Sequence, residues 1–393
     1  MATRVTPGSQ AWLRAANQRR VVSAVRGTQE MTQSGIARAT GLSAATVSNI
    51  VRELRDQGVL VVTPTSAGGR RAQAVSLSSR TGLLLGADFG HTHLRVVVGN
   101  LAHEVLAEDA IPLDVDASAD DGLAAAERLA DALLDGLGGE RSSVLGLGVG
   151  LPGPIDVATG TLGSSTILPG WVGVNPVAEL TRRFGPSVCV DNDANLGALA
   201  ETTWGSARGC ANAVYVKIGW GVGAGVVIGG EVYRGDGGIA GELGHLTIDE
   251  TGPLCRCGNR GCLETFAGGR HLADILRPAH GELTTTRIVR LALEGDPACR
   301  RVVSDAGRHL GVGVASLCNL LNPGRVVIGG DLAAAGALLF DSVIEGVRRY
   351  AIPGVTRELS IEPGALGERA EALGALALAV RQWERAGAAP ADH

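Results

Sequence analysis

The stretch "LLLGADFGHTHLRVVVGN", residues 83–100, reads as an apolar strand, a tight turn and a second strand. Working outward, "EVLAEDAIPL" (104–113) adds a third strand, the span Asp121–Leu137 predicts a helix, and "VLGLGVGLPGPI" (144–155) is again an apolar strand. The theme returns in "AVYVKIGWGVGAGVVIGGEVYRG" (213–235), a strand, a glycine-rich turn and a strand. "RVVIGGDL" (325–332) follows a helical segment containing "GVGVASLCNLLNP" (311–323). Two such units, each a hairpin followed by alternating helices and strands, predict two α/β lobes with a cleft between them.

A chain of 393 residues is too long for one compact core and implies two or three folding units. Aromatic residues supply only 3%, so Ala, Val and Leu must do most of the packing. No apolar run approaches the ~18 residues of a membrane-crossing helix, and the first residues lack the apolar core of a secretory signal. Seven cysteines, an odd number, argue against a disulfide framework. These features give the expectation of a reduced, cytoplasmic protein with no membrane partner.

The net charge of -5 hides an asymmetry. Residues 1–80 hold 11 Arg and three acids, or +8, and the remaining 313 residues carry the balance of -13. Only the first part is suited to a polyanion. There, "TQSGIARATGLSAATVSNIVRELRDQGVL" (32–60) reads as two short helices around Gly41, with Ser43 as a cap and Val47, Ile50, Val51 and Leu54 on an apolar face. Ser43, Ala45, Thr46, Ser48, Asn49 and Arg52 then fall on the opposite face, small and polar enough to approach base edges in a major groove. "VLVVTP" and "AQAVSL" alternate like the strands of a wing whose turn, "TSAGGRR", carries Arg70 and Arg71 toward phosphates or a narrow minor groove. A small helical interaction domain would explain the helices but not the wing and the local charge together. DNA is the partner this module implies.

"CRCGNRGCLE", Cys255–Glu264, offers three thiolates within eight positions, and His245 in "GELGHLTI" lies ten residues earlier. His245, Cys255, Cys257 and Cys262 would complete a closed tetrahedral zinc site of structural type, with Gly258 and Gly261 permitting the turns. There is no Cys-x-x-Cys redox pair. Cys189, Cys210, Cys299 and Cys318 sit in apolar surroundings and read as core residues.

From residue 81 onward these motifs resemble the ROK family (repressors, open reading frames and sugar kinases), and the module in front makes the chain similar to its regulator branch, that of the xylose and N-acetylglucosamine repressors. The resemblance implies an α/β chain with an N-terminal winged helix-turn-helix (residues 1–80) and a two-lobed actin-like (ribonuclease H-like) sugar-kinase fold. Lobe I would cover 81–200, completed by a C-terminal helix at about 370–388, and lobe II, with the zinc motif, 201–369. It further implies that Gly153, Asn192, Asp193, Glu242, His245 and Glu264 bind a sugar, His245 holding zinc through one ring nitrogen and addressing a hydroxyl with the other. Asn175 and Trp171 are weaker matches. Capping by Asp191 or Asn192 of the helix that follows would account for one of these polar residues, not for all.

The parts needed for phosphate transfer are altered. Asp88, Gly90 and Thr92 in "DFGHT" match one phosphate turn, with His91 where the kinases usually have Gly. Gly219, Gly221 and Gly223 in "GWGVGAG" match the second, with Trp220 in place of a Thr. "GGD" (329–331) matches an adenosine-side loop or is a plain turn. Two functions follow. The first is a sugar-responsive regulator acting as a homodimer or tetramer. The second is an ATP- and Mg2+-dependent hexose kinase with Asp193 as its catalytic base.

Overall fold

The computed structural model describes residues 10–385 apart from 27, 29, 57, 68–69, 79–81, 154, 156–161, 163–167 and 186. The N-terminal unit runs α1 (Gln10–Arg26), β1 (Glu30–Thr32), α2 (Gln33–Thr40), α3 (Ala44–Asp56), β2 (Leu60–Ala67) and β3 (Arg70–Leu77). Gly41 ends α2 in the left-handed region (φ 69°), which a side chain would disfavour. Ser43 Oγ accepts the Thr46 N–H at 3.1 Å and so starts α3. Val47, Ile50, Val51 and Leu54 are buried, as the apolar period requires.

Two details differ from the sequence reading. β1 joins the wing as a third strand, in the order β1-β3-β2, a three-residue strand too short to show periodicity. Arg70 and Arg71 are not in the turn but open β3, paired with Ala67 and Ser66. The tip itself, residues 68–69, lies outside the described residues.

The body holds two five-stranded sheets. The first contains β4 (Leu83–Gly90), β5 (His93–Asn100), β6 (Val105–Pro112), β7 (Val144–Leu151) and β8 (Val188–Asn192) in the order β6-β5-β4-β7-β8. β4, β5 and β6 are antiparallel, whereas β7 and β8 add in parallel through α4 (Ala119–Gly136) and α5 (Pro176–Phe184). After α6 (Asp193–Thr203) the pattern repeats with β9 (Ala213–Ile218), β10 (Val222–Ile228) and β11 (Glu231–Tyr233). Helices α7 (Glu264–Ala267), α8 (Gly269–His280), α9 (Thr285–Glu294) and α10 (Pro297–Leu321) lead to β12 (Arg325–Gly329). Then come α11 (Ala337–Tyr350), α12 (Pro353–Thr356) and β13 (Ser360–Pro363), giving the order β11-β10-β9-β12-β13. α6 continues past position 200 to Thr203.

The last helix, α13 (Ala370–Arg385), returns to the first lobe; residues 386–388, included in the expected helix, lie outside the described residues. It packs directly on β4 and β7, because a Cβ on Gly86 would lie 2.4 Å from Ala372 O and one on Gly148 only 1.9 Å from Ala375 O. Glycine is what lets helix and sheet backbones meet. One apolar core then runs from Val21, Val22 and Val25 of α1 through Leu84 and Val97 of the sheet to Leu376 and Val380 of α13. The N-terminal unit is therefore packed onto the first lobe rather than hung from it. No helix among the described residues is long and apolar enough to cross a membrane.

Candidate functional site

A cavity of about 600 Å³ opens between the sheets, lined by Gly153, Asn192, Asp193, Glu242, His245 and Glu264 among others. The six residues expected to meet a sugar thus line one space. Asn192 ends β8 and caps α6: its Oδ1 accepts the Ala194 N–H at 2.9 Å, and its Nδ2 donates to Gly153 O at 3.0 Å. Capping and site formation are the same act here, since the cap fixes the carboxamide at the cavity wall. Asp191 does not cap; it takes the Arg234 Nε at 2.8 Å and the Asn195 Nδ2 at 3.0 Å. Burial, with Asp193 and Glu264 nearby, pushes the Glu242 carboxyl above its ordinary value.

Trp171 and Asn175 do not line the cavity. Trp171 is a core residue, 1% exposed, with its indole N–H on Val115 O at 3.0 Å and Phe89 edge-on at 5.4 Å. Asn175 accepts the Ala178 N–H and caps α5.

The metal cluster closes as the ligand chemistry requires. The ligand atoms of His245, Cys255, Cys257 and Cys262 all lie within 4.8 Å of one another. Cys257 and Cys262 sulfurs are 3.7 Å apart, far from a disulfide bond. A tetrahedral site with Zn–S bonds of about 2.3 Å sets its sulfurs about 3.8 Å apart, so the residues fit the ion. His245 Nδ1 faces Cys255 at 3.6 Å, while Nε2 faces Glu242 at 3.8 Å on the cavity side. The ring therefore has one nitrogen for the cluster and one for the cavity. A second grouping, His280, Asp296 and Cys299, is explained by helix capping: Asp296 accepts both the Cys299 N–H at 2.8 Å and the His280 ring at 3.0 Å.

The two glycine turns also border the cavity, with histidine and tryptophan side chains beside them. His93 Nε2 donates to Asp88 at 3.0 Å, and its ring lies on Gly90, where a Cβ would come within 2.2 Å. His91 pairs with Asp116 at 2.7 Å, its ring 6.0 Å from Trp220. Trp220 stands between this cavity and a smaller one and lies under Arg270 at 5.9 Å. Gly223 belongs to β10 rather than to the loop, opposite Lys217. Asp331 opens a short 3-10 turn at the far wall, where burial raises its carboxyl.

Three cavity residues escape a sequence reading. Lys217 on β9 pairs with Asp193 at 2.9 Å and Glu371 of α13 at 3.5 Å. Arg256, inside the cysteine motif, holds Glu264 at 3.0 Å, and Glu264 also accepts the Val222 N–H at 3.3 Å. Their signal was a charge within an apolar strand, a charge in a metal loop and an acid opening a helix, none distinctive alone.

In the N-terminal unit, Ala45, Ser48, Asn49 and Arg52 are exposed on one face of α3 and Ser43 is exposed just before it, with Thr46 half-buried at its start. Arg52 donates to Asn49, and Ser43 and Thr46 hydroxyls are 2.8 Å apart. Arg70 and Arg71 are placed by their backbones in β3.

Comparison with known proteins matches the ROK family over residues 84–382 and the MarR family over residues 15–72. The xylose repressor of Caldicellulosiruptor bescii is 29% identical over 389 residues, covering 95% of this chain and 97% of its own. The glucokinase of Halalkalibacterium halodurans is 33% identical over 309 residues, 74% of this chain and 92% of its own, and so matches the body without the N-terminal unit. A solved ROK family transcriptional regulator, a homologue of the Escherichia coli MLC protein, superposes with a TM-score of 0.78 at 26% identity over 96% of this chain and 98% of its own. The two-lobed body behind a winged helix-turn-helix, the cysteine cluster and the full-length matches lead to one assignment: the chain belongs to the ROK family and carries a MarR-like DNA-binding module at its N-terminal end.

Proposed function

We propose that the protein is a cytoplasmic, sugar-responsive repressor of a carbohydrate uptake or catabolism operon, released from its operator when a sugar binds between the lobes. Residues 1–80 would read DNA, through Ser43, Ala45, Thr46, Ser48, Asn49 and Arg52 in the major groove and Arg70 and Arg71 on the wing. Lobe I, residues 81–200 with α13, and lobe II, residues 201–369, would enclose the sugar.

The observation that carries this reading is the course of α13. Its first turn puts Glu371 in the cleft against Lys217, and its last turn puts Glu384 against Arg19 and Arg26 of α1. One helix of 16 residues, about 24 Å long, thus touches both the cavity and the DNA-reading unit. A sugar that meets Asn192 and Asp193 competes with Lys217 for Asp193, and the lobes close around its hydroxyls. The Glu371 contact then shifts α13 against α1. In a homodimer, or a pair of dimers, such a shift changes the spacing of two winged units on a palindromic operator.

His245, Cys255, Cys257 and Cys262 would hold a structural zinc ion, which supplies no chemistry beyond fixing these side chains. With Nδ1 committed, His245 Nε2 is left with a defined tautomer toward a hydroxyl, Glu242 beside it.

The alternative is an ATP-dependent hexose kinase with Asp193 as general base and Mg2+ at Asp88. It would need its base and phosphate turns free. Asp193 is paired with Lys217, Gly90 lies under His93, and Trp220 occupies the second turn. Fluorescence anisotropy on DNA from upstream of the protein's own gene, across a panel of sugars and sugar phosphates, tests the proposal. Tight binding reversed by one sugar is expected. Binding indifferent to every sugar, together with sugar-dependent ATP turnover lost in Asp193→Asn, would replace the repressor with the kinase.

A further inference from the structure

The chain contains 34 arginines and a single lysine, Lys217. That lysine sits in the cleft floor against two carboxylates, Asp193 from α6 and Glu371 from α13, and the charge of a third, the buried Asp88 of β4, also acts on it. Its Nζ is 2.9 Å from Asp193 and 3.5 Å from Glu371. Asp88 is 1% exposed, and its Oδ1 is buried without a hydrogen-bond partner. Glu371 also accepts the Tyr215 O–H at 3.1 Å.

Three converging carboxylates cannot stay ionised away from water without a cation between them. Oxygen donors of this kind are the usual ligands of Mg2+ and Mn2+. An ammonium group is a compact point charge on a long stem, whereas a guanidinium is a broad plane that this space would not take in the same way. Burial works against the lysine's charge, but Asp193, Glu371 and Asp88 outweigh it and hold the ammonium well above its ordinary value. The neighbouring His93 likewise gains a proton more readily through its bond to Asp88.

We propose that the Lys217 ammonium group takes the place of a divalent cation among Asp88, Asp193 and Glu371, so that the cleft holds its ligand without Mg2+ and becomes a divalent-cation site when this one side chain is removed. Lys217 also joins the lobes, since β9 belongs to one sheet while Asp193 follows β8 of the other and Glu371 is carried by α13, which packs on that other sheet. The lysine is a specificity-determining residue: it rejects a metal–nucleotide complex and leaves Asp193 ionised to accept a hydroxyl.

Mn2+ binding to the full-length, zinc-loaded protein, followed by electron paramagnetic resonance, reads this without DNA or sugar. The outcome is therefore separate from that of the repressor proposal. The wild type should bind no Mn2+ in the cleft. Lys217→Met should gain one cleft site, because a buried anionic cluster attracts the ion, and lose it again in Lys217→Met/Asp193→Asn. Should Lys217→Met be too unstable for this, its melting temperature should rise with millimolar Mn2+ or Mg2+ while the wild type's does not. Wild-type binding that disappears in Asp193→Asn, or a Lys217→Met chain that neither binds nor is stabilised by either ion, would overturn the proposal.

Discussion

His245 turns one ring nitrogen toward Cys255 and the other toward Glu242, and both halves of that arrangement can be tested at the level of single side chains. Cys262→Ser should reduce bound zinc from one equivalent to near zero by atomic emission and lower the melting temperature, because the loop from Leu246 to Cys262 is tied to the body by this cluster. His245→Ala should lose zinc and sugar response together. Arg256→Ala is a finer probe: it releases Glu264 from its ion pair and should change sugar affinity while zinc content stays at one equivalent. The cysteines and His245 were legible because metal ligands have a restricted chemistry and a close spacing. Lys217, Arg256 and Glu371 were not, since each takes its meaning from partners 8 to 154 positions away.

At the scale of elements, α13 depends on two glycines in the strands beneath it. A methyl group at Gly148 would meet Ala375 O at 1.9 Å, so Gly148→Ala should cost at least about 1–3 kcal/mol, read as a lower midpoint in urea. Ser43→Ala, which removes the cap of α3, should cost about 1 kcal/mol in the same measurement. The helices of the N-terminal unit were readable from period and caps. So were the hairpins of both lobes, where apolar runs flank glycine. β1 was not, because three residues carry no period, and its pairing with β3 is a contact across more than 40 positions. The close approach of α13 to β4 and β7 was hidden for a related reason: a glycine in a strand looks the same whether it faces solvent or another backbone.

For the whole molecule, the decisive feature is that the DNA-reading unit and the first lobe share a core. His103 stands at this junction, φ 62°, beside Arg26 of α1 and edge-on to Trp204 at 5.3 Å. Burial first, then Arg26 and Arg381, pushes its pKa down from 6.5 to about 4. The unfolded chain therefore binds this proton more readily. The stability the neutral ring contributes is fully present above pH 6.5 and is lost as pH falls toward about 4, on the order of 3 kcal/mol at most. His103→Asn, which suits the left-handed backbone, should flatten thermal melting across that window. The asymmetry of charge announced a DNA-reading part and a separate body, but charge says nothing of how tightly the two are packed. If cleft and DNA surface are linked through α13, the linkage is reciprocal. Sugar affinity measured with and without saturating operator DNA tests it most directly. DNA should weaken sugar binding by the same factor by which sugar weakens DNA binding; a sugar affinity unchanged by DNA would rule this linkage out.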